Sequence, residues 1–68
     1  MEVCMNIERD AIYESVCQVV GRSVMLLNEK GYRITHKNIS AILEEQRVNE
    51  ESKHMIAIYS IAIDLIDK

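Results

Sequence analysis

Cysteine is scarce in this chain. Cys4 and Cys17 are the two it has, too few for a disulfide framework and too few for an iron–sulfur cluster. No histidine or cysteine cluster has zinc-ligand spacing, so neither a metal nor a cofactor is expected. Long apolar runs are missing too: no stretch of about 18 apolar residues occurs, and no membrane span is expected. The opening MEVCMNIERD lacks a basic region and a long apolar core, so it does not read as a signal peptide. Reduced thiols without an export signal point to a cytoplasmic location. Positive charge is in short supply, with eight Lys and Arg against eleven Asp and Glu and a net charge of −3. That balance argues against non-specific nucleic-acid binding, which relies on cationic contacts to phosphate. It leaves room for a partner protein with a basic surface. Gly-rich phosphate loops, Ser–His–Asp sets and nucleophilic Cys–His pairs are absent from the sequence.

What remains is a helical pattern in 68 residues, read as one small domain over residues 1–68 with 1–6 frayed. A chain this short buries a limited fraction of its surface, and small folds usually need a staple. With disulfides and metals set aside, the staple expected is a second subunit, giving a homodimer.

The longest periodic stretch is residues 12–31, IYESVCQVVGRSVMLLNEKG. At helical spacing Ile12, Tyr13, Val16, Cys17, Val19, Val20, Val24, Leu26 and Leu27 form a wide apolar arc. This predicts a helix over residues 7–30, capped by Asn6 or Asp10 and stopped by Gly31. On this reading Cys17 is a small buried hydrophobe. Gly21 sits at the edge of the arc, where it can admit another helix at short range.

A second start follows in ITHKNISAIL. Thr35 reads as the cap and Ile34 as a staple folding onto Ile39, with the helix over residues 36–47 and Ile39, Ile42 and Leu43 on its inner stripe. Asn49 reads as the cap of a third helix over residues 50–66, with Glu50 and Glu51 in its first turn. Its stripe is Met55, Ile58, Tyr59, Ala62, Leu65 and Ile66, widened by Ile56 and Ile63. The fold class predicted is all-α, three helices in a single domain. Met25 and Ile61 fall off the main stripes, and with Gly21 they are the candidate subunit interface.

Three features bear on chemistry. The helix start Thr35-His36-Lys37-Asn38, with Arg33 before it, can hold an anion through free N–H groups and cations. The plainer reading of the same residues is a capping turn with a half-buried histidine beside Leu43. Glu44, Glu45, Glu50 and Glu51 flank a polar turn with no apolar cover, which suits a solvated surface or a docking patch for a basic partner. A helix-turn-helix is disfavoured, because the turn glycine is missing and Asn49-Glu50-Glu51-Ser52 would meet phosphates badly.

The residues Tyr13, Cys17, Val19-Val20-Gly21, Arg22, Val24, Gly31, His36, Ile39 and Leu43 resemble the fumarase D family of small enterobacterial proteins, ungapped over residues 13–43. After Leu43 the agreement loosens, and this chain is about three residues shorter in the second loop. Gly21, Val24, Leu27, Gly31, Lys37-Asn38-Ile39 and Leu43 are also similar to the AriR-type regulators of biofilm and acid resistance. The first resemblance implies hydration of fumarate to malate. His36 matches a family position and is the candidate proton carrier; Arg22 keeps the family's charge. Arg33 and Lys37 join Arg22 as candidate clamps for a dicarboxylate on the strength of their charge and position alone. The second resemblance implies a non-catalytic dimer of three-helix chains that acts through a regulatory protein partner. The two agree on fold and differ on function.

Overall fold

The computed structural model describes residues 7–67. They form three helices: α1 (Ile7–Lys30), α2 (His36–Val48) and α3 (Lys53–Asp67). Among the described residues there is no strand. Asn6, one of the two caps considered for α1, lies outside the described residues, as does Cys4. Asp10 lies inside α1 and so does not cap it.

Two local devices set the turn between α1 and α2. Gly31 takes a left-handed φ of 77°. Its N–H donates to the Asn28 carbonyl at 3.2 Å, and the Tyr32 N–H donates to the Leu27 carbonyl at 3.0 Å. This pair of bonds satisfies the last carbonyls of α1 and closes the helix. Thr35 then caps α2 from an extended backbone, its Oγ1 accepting from the Asn38 N–H at 3.1 Å. The Asn38 amide donates to the Arg33 carbonyl at 2.8 Å and pins the turn from the other side. Ile39 is buried, but Ile34 leaves 51% of its surface in water. The staple expected between them therefore shields little.

The third helix begins later than its sequence pattern suggests. Asn49 ends α2 instead of starting α3: its backbone N–H and its side-chain amide both donate to the Glu45 carbonyl, at 3.3 and 3.1 Å. Ser52 is the cap of α3, its Oγ accepting from the Met55 N–H at 3.3 Å. Glu50 and Glu51 precede the helix, and the Glu50 carboxylate accepts from the Ser52 N–H at 3.1 Å. An asparagine committed to one helix end cannot serve the next, and the first free hydroxyl three residues on takes over.

The core draws on all three helices: Val16, Val19 and Leu27 from α1, Ile39, Ile42 and Leu43 from α2, and Ile58, Tyr59, Ala62 and Ile63 from α3. Burial corrects the sequence reading in three places. The arc on α1 is narrower than its apolar pattern, because Ile12, Tyr13 and Cys17 are exposed. Leu65 is half exposed, and Ile63 is buried in its stead. Ser23 is 1% exposed in the middle of the α1 stripe. Its hydroxyl donates to the Val19 carbonyl of the same helix at 2.9 Å, so a polar group is buried with its bond made.

Polar side chains pin α2 to α3. Ser40 bonds Asp67, Gln46 bonds Tyr59 and Arg47 bonds Ser60. Low numbers on α2 meet high numbers on α3, the pairing of an antiparallel hairpin. Among the described residues no side-chain hydrogen bond joins α1 to either neighbour. The described contacts of α1 with its neighbours are apolar packing.

Candidate functional site

The helix start at α2 is the first place to look for chemistry. Arg33, His36 and Lys37 are brought together there by the Thr35 cap, and all three are exposed. His36 is exposed and not half-buried as the plainer sequence reading has it. The cap already takes the Asn38 N–H, and the Ile39 N–H donates to the Thr35 carbonyl at 2.9 Å. The free donors are then those of the residues before Asn38.

Arg22 belongs to a different element. It is exposed on α1, about 12 Å along the helix axis from Lys30, where the turn to α2 begins. Among the described residues no cleft or cavity encloses any of these side chains, and no three His, Cys, Asp or Glu gather at metal-binding range. The acidic residues Glu44, Glu45 and Glu51 are exposed, while Glu50 is partly buried against the Ser52 N–H.

The more developed feature is a flank of α1. Tyr13, Cys17, Gly21 and Met25 recur every four residues and lie on one ridge of the helix. Tyr13 is 66% exposed and Met25 58%, with Cys17 and Gly21 exposed between them. A Cβ built on Gly21 would meet nothing within 4 Å. Val20 and Val24, half-buried at the rim of the core, extend the ridge inward. No charged residue interrupts it.

The same helix is too long for its neighbours. At about 1.5 Å per residue, α1 runs about 36 Å, against about 20 Å for α2 and about 22 Å for α3. Residues 10–14 are all exposed, and burial begins at Val16. Ile12 shares the inward face with Val16 and Val19, yet is 40% exposed. Of the interface residues proposed from sequence, Gly21 and Met25 share the α1 flank. Ile61 belongs to α3, in an outward stripe with Ala57 and Leu65.

Sequence reasoning placed Tyr13 and Cys17 in the core because both fit its helical period. The signal that separates them was available: with Gly21 and Met25 they form an uncharged four-residue repeat displaced from the central stripe. No helix of the described residues is long and apolar enough to cross a membrane. Compared with protein-family models, curated proteins and solved structures, the chain matches none of them.

Proposed function

We propose that this chain is a non-catalytic helical interaction module that works as a homodimer and docks on a regulatory protein partner. One observation carries the reading: the uncharged ridge Tyr13–Cys17–Gly21–Met25 stands exposed on the longest helix. Surfaces of this kind mark association sites. The motif Tyr-x3-Cys-x-Val-Val-Gly divides accordingly. Val19 serves the core, whereas Tyr13, Cys17 and Gly21 face outward, where packing within the chain gives them no role. The AriR-type resemblance points the same way.

Hydration of fumarate is the competing proposal, and the fumarase D resemblance supports it. His36 would carry the proton, and Arg22, Arg33 and Lys37 would hold the carboxylates. Such a reaction needs a water-excluding enclosure, and exposed side chains on one copy do not supply it; a second copy would have to close the site.

A fumarate-hydration assay on purified protein beside His36→Ala tests the choice, with sedimentation run on the same samples. The module predicts a dimer and no activity that depends on His36. Malate formation by the unmodified chain, lost in the variant while the dimer persists, would establish the hydratase instead.

A further inference from the structure

We infer that the second copy docks α1 against α1 in antiparallel register, about a twofold axis between Cys17 and Gly21; this rests on the homodimer proposed above. In that register Tyr13 lies opposite the partner's Met25, and Cys17 lies opposite the partner's Gly21. The ridge is self-complementary: each bulky end meets the other bulky end, and the two small residues meet at the centre. Gly21 has open space where a side chain would stand, so two backbones can approach closely there.

Charge chooses the direction. Asp10 and Glu14 are exposed toward the start of the ridge, and Arg22 is exposed toward its far end. Adjacent Glu29 and Lys30 cancel. A parallel pair would set Glu14 against Glu14 and Arg22 against Arg22, and like charges facing across helices destabilise. An antiparallel pair brings Glu14 within a turn of the partner's Arg22, twice by symmetry, and Asp10 meets the neutral Asn28. The two helix dipoles also oppose each other in this arrangement.

The length of α1 gives a second reason. It is longer than α2 and α3, and residues 10–14 near its start are all exposed. An antiparallel copy lays the far half of its own α1 along that stretch.

Thiol crosslinking tests the register. One protein carries Cys4→Ser and keeps Cys17. The other carries Cys4→Ser, Cys17→Ser and Gly21→Cys. They are mixed in equal amounts, checked for dimer by sedimentation, and oxidised gently. Disulfides form only where Cα atoms come within about 7 Å. Links between Cys17 and the thiol introduced at position 21 should exceed same-position links about tenfold. A second mixture preserves Gly21, pairing Tyr13→Cys with Met25→Cys, each in the Cys4→Ser, Cys17→Ser background, and should behave alike. Same-position links, or no links in protein that sediments as a dimer, would overturn the antiparallel register and leave the homodimer standing. Monomeric unmodified protein would overturn both.

Discussion

The Ser40 hydroxyl donates to the Asp67 carboxylate across 2.6 Å, joining the inner flank of α2 to the last turn of α3. Ser40 is 7% exposed, while Asp67 is exposed, so the bond is shielded on its donor side. A short bond to a carboxylate is among the stronger kinds. It ties the last turn of α3 back to α2.

Ser40→Ala should therefore lower unfolding free energy by about 1.5–3 kcal/mol, the range for bonds to charged groups. Asp67→Asn keeps an acceptor and should cost less. Denaturant midpoints of the two variants check the order. Equal midpoints for Ser40→Ala and the unmodified protein would show that the bond contributes nothing net.

The two cap assignments differ from the sequence pattern at one place and can be told apart. Thr35→Ala and Ser52→Ala should each destabilise by about 1 kcal/mol, through loss of the N-cap of α2 and of α3. Asn49→Ser should not compensate for Ser52→Ala, because position 49 closes α2. Amide exchange at Met55 should rise in Ser52→Ala and stay unchanged in Thr35→Ala.

Gly31→Ala should cost about 1–2 kcal/mol, since a side chain at φ 77° meets its own backbone. Gly21→Ala, inside α1 and with open space around it, should do the opposite to the monomer and stabilise it by up to about 1 kcal/mol. Any loss it causes would have to come through the dimer. Thermal midpoints measured at low and high protein concentration separate the two effects.

The first two helices were legible in the sequence because their ends are set locally. Gly31 stops α1 and Thr35 starts α2, each through bonds to residues within five positions. The start of α3 was not legible, because Asn49 and Ser52 are both good caps and nothing in a linear pattern says that α2 has already claimed the first. Hydropathy located the inner face of α1 but not its width. How far burial extends depends on how far α2 and α3 reach, and that length is a tertiary fact. Ser23 was missed because a buried hydroxyl that bonds its own helix looks, in sequence, like a surface residue. The candidate cations Arg33, His36 and Lys37 came out adjacent because they are adjacent in sequence. Arg22, read as their companion, is carried by α1.

His36→Ala should leave folding unchanged within about 0.5 kcal/mol, as is usual for exposed positions away from packing. Fumarate titrated against labelled protein should likewise leave the amide signals of residues 36–39 in place. A saturable shift there, absent with a neutral analogue, would instead favour the hydratase.

Self-association through the α1 ridge is the claim on which the rest depends. Sedimentation equilibrium at tens of micromolar, comparing the unmodified chain with Gly21→Arg, tests it most directly. The substitution enters open space on the monomer, so helix content by circular dichroism should be retained while a large charged side chain blocks close approach. The prediction is a dimer for the unmodified chain and a monomer for the variant, both fully helical. A monomer in both samples, or a dimer that Gly21→Arg leaves intact, would contradict it.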